Sequence, residues 1–370
     1  MWPYWLLFLV PAAAALSAVP LHKRRFDGSR KLRVDMLWLM VMLVIALVIG
    51  LRDRVGGDWY NYFRYIFGAE HINLAEAMTR SDPAYWALNM VSLDLGLGII
   101  GVNLFCGIVF ALGLVVYTRS MPRPWLALAV GIPYMTVVVA MGYSRQGIAL
   151  GFVLIGLVAL GRQRFLWFAF WIFIAATFHR SAVILIGIAL LTLDFRKIYN
   201  LPLLAVIGML LYSAFLEDAA EGFISSYIEA EMQSSGAFIR LLMNVIPGIL
   251  FLYYRRRLLI SPGESKIYSV MALLAIASFT ALLVGAVPST ALDRMGLYLI
   301  PLQIFLFSHL PDGMGRRGGV NQGLVSLILL FYAATLFAWL NFATHAHFWL
   351  PYRMFPPIDI IEASQQGRRD

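Results

Sequence analysis

The chain has 370 residues, of which 61% are apolar and 13% charged, with a formal net charge of +9. Soluble domains carry about 45–50% apolar and about 25% charged residues, and here the surplus falls in apolar blocks broken by short charged runs, the pattern of a polytopic membrane protein. A soluble enzyme and a disordered chain are therefore excluded, and with Cys106 as the single cysteine so are a disulfide scaffold and a cysteine zinc cluster.

In chain order, apolar runs predict spans near 3–21, 34–51, 99–118, 124–141, 147–161, 164–178, 181–193, 201–216, 238–254, 267–286, 293–310 and 324–342. The expected fold is all-α: one polytopic integral membrane domain over 1–370 with about twelve transmembrane helices. Runs as short as 181–193 need shielding by neighbours or end at a cavity within the membrane. Nothing basic precedes the first span, whereas Lys23, Arg24, Arg25, Arg30, Lys31 and Arg33 follow it. A signal peptide carries its charge before the apolar stretch, so the reading is an uncleaved first helix with the N-terminus outside. The weakly apolar segment 85–98, which holds Asp94, Gly96 and Gly98, decides the parity of every later loop. If it does not cross, the inside loops 22–33, 119–123, 162–164, 194–199, 255–266 and 311–319 hold 18 of the 29 Lys and Arg residues. That follows the positive-inside rule. Segment 85–98 is therefore interfacial or re-entrant, and both termini are expected outside. The longest pieces between spans, 52–98 and 217–237, then lie on the outer face. The second carries Glu217, Asp218, Glu221, Glu229 and Glu231 among Phe223, Ile224, Tyr227 and Ile228, which fits an amphipathic surface helix or a lid.

Charges collect on that outer face. The first outer loop reads Arg52-Asp53-Arg54-Val55-Gly56-Gly57-Asp58-Trp59-Tyr60-Asn61-Tyr62. Its arginines can fork onto a phosphate, and its glycines permit close backbone approach to a ligand. The plainer reading is a helix-end salt bridge plus an aromatic belt. Later outer turns hold Tyr143-Ser144-Arg145-Gln146-Gly147 and Phe178-His179-Arg180-Ser181, and Asp293-Arg294 opens a span with Tyr298 one turn along. The plain alternatives are a snorkelling arginine, a capping serine and an intramembrane Asp293–Arg294 pair. Trp349-Leu350-Pro351-Tyr352-Arg353 follows the last span as a candidate interfacial anchor. Arg52, Arg145, Arg180, Arg294 and Arg353 all fall at membrane boundaries on the face that should be poor in arginine. One shared anionic ligand, such as the pyrophosphate of a lipid carrier, explains them together. His71, His179, His309, His345 and His347 lack a metal-binding helical spacing. Ser144 lacks the glycine-flanked turn of a hydrolase, and Cys106 reads as core packing.

In this order and spacing, Arg52-x-x-x-Gly56-x-Asp58-Trp59-x-x-Tyr62, Arg145-Gln146-Gly147-Ile148-Ala149, Phe178-His179-Arg180-Ser181-Ala182, Asp293-Arg294-x-x-x-Tyr298 and Pro351-Tyr352 resemble the EpsG family of Wzy-type exopolysaccharide polymerases. The resemblance runs from about residue 35 to 355. Gly57 stands where the family more often has threonine, so a role for that hydroxyl does not carry over. The resemblance implies polymerisation of undecaprenyl-pyrophosphate-linked repeat units on the outer face of the bacterial inner membrane. It implies catalytic roles for His179, Arg145, Arg52, Asp58 and Arg294. Substrate binding would fall to Arg54, Gln146, Arg180, Asp293, Tyr298, Tyr352, Arg353, Trp59 and Tyr62. Fixed arginines would neutralise the leaving pyrophosphate, and His179, Asp58 or Asp293 would take the acceptor proton, with His179 favoured. No metal or cofactor is expected. Expected partners are lipid-linked oligosaccharides, membrane lipid, a chain-length regulator and other polysaccharide-assembly proteins, and no nucleic acid. A flippase, which would bind the same pyrophosphate in transit, and a ligase for the finished glycan are the competing readings. The internal halves common in transporters are not found.

Overall fold

In hydrocarbon every backbone N–H and C=O must be paired within its own segment, so the apolar runs of this chain have little choice but helix. The computed structural model describes residues 1–17, 35–192, 236–315 and 319–355. Among them no strand occurs, and the single isolated β-bridge joins Arg52 to Met354. Helices α1 (Trp2–Ser17) and α2 (Met36–Gly50) are followed by three short helices, α3 (Trp59–Glu70), α4 (Leu74–Thr79) and α5 (Pro83–Asp94). Then come α6 (Gly98–Arg119), α7 (Pro124–Gly131) with a π-helical continuation over Ile132–Ala140, α8 (Ser144–Gly161) and α9 (Phe165–Phe178). A 3₁₀ turn, Arg180–Leu185, leads into α10 (Ile186–Thr192). Beyond residue 235 lie α11 (Ala237–Tyr254), α12 (Pro262–Leu283), α13 (Ser289–Gly296), α14 (Pro301–Gly313) and α15 (Gln322–Phe342).

Five described helices, α6, α8, α11, α12 and α15, are long and apolar enough to cross a membrane, and the bent pair Ser289–Leu299 and Pro301–Gly313 makes a sixth. Shorter apolar helices cover Trp2–Ser17, Met36–Gly50, Pro124–Ala140, Phe165–Phe178 and Arg180–Thr192. The chain is thus an all-helical protein compatible with a polytopic membrane fold. The expected span 201–216 and most of the acidic loop 217–237 lie outside the described residues, as do the basic loops 22–33 and 194–199. The expected single span at 293–310 is broken: its two pieces meet at 41°. Pro301 has no N–H to give and its ring crowds the preceding turn, so the helix restarts there. Segment 85–98 forms α5 and a turn. At 12 residues α5 reaches only about 18 Å, too short to cross alone.

Packing between the long helices depends on glycines. A side-chain carbon on Gly113 of α6 would strike the Gly151 carbonyl of α8. On Gly107 it would lie 2.8 Å from the Ala46 carbonyl of α2. Small residues let helix backbones approach where lipid supplies no hydrophobic drive between helices. The ends of α6, α8 and α12 that carry the basic turns 119–123, 162–164 and 255–266 lie away from Asn103, Arg145 and Asp293, so the charged and aromatic cluster described below occupies one end of the bundle.

Candidate active site

Seven separate stretches converge on a cavity of about 440 Å³. The turn before α3 supplies Asp58, and α3 supplies Tyr62. The π segment supplies Tyr134 and Val138, and the start of α8 supplies Tyr143, Arg145 and Gln146. His179 enters from the break between α9 and the 3₁₀ turn. Arg240 of α11 faces Thr290, Asp293 and Arg294 of α13, with Trp339 and His345 from the end of the chain. Helices are broken or distorted at most of these points, and backbone irregularity at membrane depth is tolerated where it lines a cavity.

The five arginines read from the sequence do not share this space. Arg145 and Arg294 line it. Arg52 is fully buried and spends its guanidinium on the chain: Nε donates to the Val55 carbonyl (3.1 Å), Nη1 to the Ile49 carbonyl, and Nη2 to Asn103 Oδ1 (3.0 Å) and Ser144 Oγ (2.6 Å). Trp59, 2% exposed, stacks on it at 5.8 Å. The Arg180 side chain is not among the lining groups; its backbone N–H donates to Asp82 Oδ1 (3.0 Å). Arg54 is exposed beside Asp53 at 4.0 Å. Arg353 is exposed in the stretch after α15, where its carbonyl accepts from the Asp53 N–H (3.1 Å).

Two local expectations need correction. Trp349 and Tyr352 are not surface anchors: Trp349 is wholly buried and donates Nε1 to the Val137 carbonyl of the π segment (2.7 Å). Tyr352 donates to the Val48 carbonyl (2.8 Å), and burial pushes its phenol up to about 12. These residues clasp the stretch after α15 onto α2 and the π segment. Asp293 also takes an arginine from another helix, α11. Its carboxylate is forked by Arg240, Nε and Nη2 each at 2.6 Å. Gly56, at φ +113°, makes its close approach to the Met141 carbonyl of the chain itself, which a side chain would strike. Tyr298, one turn beyond Arg294, is buried and shares a hydrogen bond with Ser181 (3.0 Å) behind the cavity wall.

The groups left in the cavity are chemically mixed. Gln146 is held by donation to the Arg294 carbonyl (3.2 Å). Asp58 accepts from Asn61 (3.3 Å), and burial lifts its carboxyl above the usual aspartate range, against the pull of Arg145. Arg145 lies 4.7 Å over the Tyr65 ring and gives Nη1 to Asp82 Oδ2 (2.9 Å). His179 Nδ1 stands 3.7 Å from the same oxygen, with no nearer partner. Burial would raise the Asp82 carboxyl, yet His179, Arg145 and the Arg180 N–H together hold it below the usual range. A cationic donor set, an imidazole and a carboxylate thus surround one space walled by tyrosines, as transfer of a group from an anionic leaving group requires.

Sequence reasoning missed Asp82, Arg240, Tyr134, Trp339 and His345. Arg240 carried the same signal as the five arginines, a lone cation at the start of an apolar helix on the acidic face. Asp82 precedes a proline and reads locally as a turn residue. Tyr134 faces the cavity through a π segment that apolar periodicity does not reveal. Cys106 is buried among core residues as expected.

The family model described as the EpsG family matches residues 35–354. No curated protein and no solved structure matches the chain.

Proposed function

The chain belongs to the EpsG family, a family of polysaccharide polymerase-like membrane proteins, and from that premise we propose that it joins lipid-linked oligosaccharide repeat units into a polysaccharide. The carrier is undecaprenyl pyrophosphate, and the reaction takes place on the outer face of the bacterial inner membrane. The observation that carries the reading is the cavity itself, where Arg145 and Arg294 share one space with Asp58 and His179.

The growing glycan, attached through its reducing sugar to the lipid pyrophosphate, is the donor. A hydroxyl oxygen of the next lipid-linked unit bonds to the donor's anomeric carbon. The bond from that carbon to pyrophosphate breaks, and its electron pair leaves with the lipid. His179 takes the hydroxyl proton. Asp58 faces the positive charge that grows on the sugar ring in such displacements. Arg145 and Arg294 meet the charge that grows on the pyrophosphate, and fixed donors of this kind contribute about 10²–10³ each in rate. Tyr62, Tyr134 and Tyr143 offer flat apolar faces beside polar groups for sugar rings. Energy is stored in the donor, so the scheme draws on no nucleotide. Charge supports this orientation: the basic turns sit at the ends of the helices away from the cavity, and basic residues favour the inner face.

The test is elongation by the full chain purified into liposomes, given the lipid-linked unit extracted from cells that lack the gene. The reading predicts a ladder of longer glycans on lipid with matching release of lipid pyrophosphate. Movement of the unit between leaflets without elongation would replace it with transport.

A further inference from the structure

Asp82 is 2% exposed; its backbone carbonyl accepts from the Tyr85 and Trp86 N–H groups of α5, but its carboxylate contacts Arg145, His179 and the Arg180 N–H, none of them on its own helix. It occupies the position just before α5, where an aspartate ordinarily accepts hydrogen bonds from the first turn of the following helix. Its carboxylate makes no such bond. Its backbone sits instead at φ 60°, ψ 54°, directly ahead of Pro83. A non-glycine residue in the left-handed region before a proline is unfavourable on both counts, and such strain persists where surrounding structure demands it. Here that conformation delivers the carboxylate to α8 and to the break after α9. Oδ1 accepts from the Arg180 backbone N–H at 3.0 Å, Oδ2 from Arg145 Nη1 at 2.9 Å, and His179 Nδ1 lies 3.7 Å from Oδ2.

We infer that Asp82 is the positioning residue of the transfer site, one buried carboxylate that sets Arg145, His179 and the turn carrying His179 in a fixed mutual geometry. The inference rests on the polymerase reading above. Asp82 does not line the cavity and so touches no substrate; it acts through the two groups that do. Its bond to Arg145 uses one of five guanidinium N–H donors and directs the others at a constant angle. Its place beside Nδ1 favours the tautomer with the proton on that nitrogen, which leaves Nε2 with the lone pair a base needs. The separation from His179 exceeds hydrogen-bond length, as catalytic contacts often do before substrate binds. Outer segment 52–98 thereby earns a place in the chemistry: α5 carries the part that aligns residues of the bundle.

The test compares Asp82→Asn and Asp82→Glu with the wild-type full chain in membranes, using the lipid-linked unit from cells that lack the gene. Asparagine keeps an acceptor for the Arg180 N–H but loses the charge. Asp82→Asn should be present in the membrane at the wild-type level, with kcat down about 100-fold, the cost of small misplacement of reacting groups, and KM little changed. Asp82→Glu keeps the charge one methylene away and should fall between. Wild-type kcat in a normally accumulating Asp82→Asn would overturn the inference and leave the polymerase reading standing. If only Asp82→Glu accumulates, its kcat decides in the same sense. If neither variant accumulates, Asp82 is a folding residue and the inference fails. A wild-type chain that leaves the unit unextended removes the polymerase reading and this inference together.

Discussion

Arg52 and Arg145 both stand at helix ends beside Ser144, yet one is enclosed by the chain and the other opens onto the cavity. Every hydrogen-bond partner of the Arg52 guanidinium is a carbonyl, an amide or a hydroxyl of the protein. Arg52→Gln should therefore act on stability: stranding these buried acceptors costs about 1–3 kcal/mol for each group left unsatisfied, read as a lower Tm of the solubilised protein. Turnover per folded molecule should change much less than in Arg145→Gln, where loss of a transition-state donor costs about 10²–10³. Equal turnover losses in both would contradict the division. Asp58 allows a pH prediction. Its folded carboxyl titrates above the ordinary value of about 3.9, so it gains a proton on acidification sooner than a free aspartate would. The rate should fall as pH drops through that raised value, and Asp58→Asn should abolish this limb from what activity remains. An acid limb unchanged in Asp58→Asn would assign it elsewhere. That cations sit at helix ends was legible in the sequence. Whom they face was not, because Asn103 and Ser144 lie 51 and 92 residues from Arg52 and only the packing register brings them together.

At the scale of elements, apolar runs located the helices well: 99–118 became Gly98–Arg119 and 324–342 became Gln322–Phe342. What the runs concealed is where helices fail. The π segment at Ile132–Ala140, the 3₁₀ turn after His179 and the bend before Pro301 all interrupt apolar stretches that read as continuous, since lipid-facing composition is the same on either side of a break. Pro133 and Pro301 carried a warning. The glycine contacts make a sharper prediction. Gly113→Leu should force α6 and α8 apart against the Gly151 carbonyl, where overpacking costs about 1–3 kcal/mol or more. The measurement is the unfolding midpoint and membrane level of the variant. Gly187→Leu is the control, because a side chain there meets nothing within 4 Å. Equal behaviour of the two variants would show that the α6–α8 crossing does not depend on close backbone approach.

For the molecule as a whole, the family and its membrane class were legible because composition and ordered charges survive without any knowledge of packing. The cavity was legible only in part. His179, Arg145, Asp58, Arg294, Gln146, Asp293 and Tyr62 meet there, while Arg52, Trp59, Tyr298 and Tyr352 support it from behind and Arg54, Arg180 and Arg353 contribute no lining side chain. Orientation has a direct check. In a chain with Cys106 replaced by alanine, Tyr60→Cys should react with a membrane-impermeant thiol reagent added to intact spheroplasts, and Arg164→Cys only after the membrane is opened. Reversed labelling would put the cavity in the cytoplasm and remove the proposed outer-face reaction.

The glycan ladder of cells carrying Arg145→Ala or His179→Ala, each at the wild-type level in the membrane, tests the central claim most directly. A transfer site in the cavity predicts that long polymer disappears while single repeat units collect on their lipid at the outer face. A wild-type ladder in both strains, or lipid-linked units held on the cytoplasmic leaflet, would contradict it.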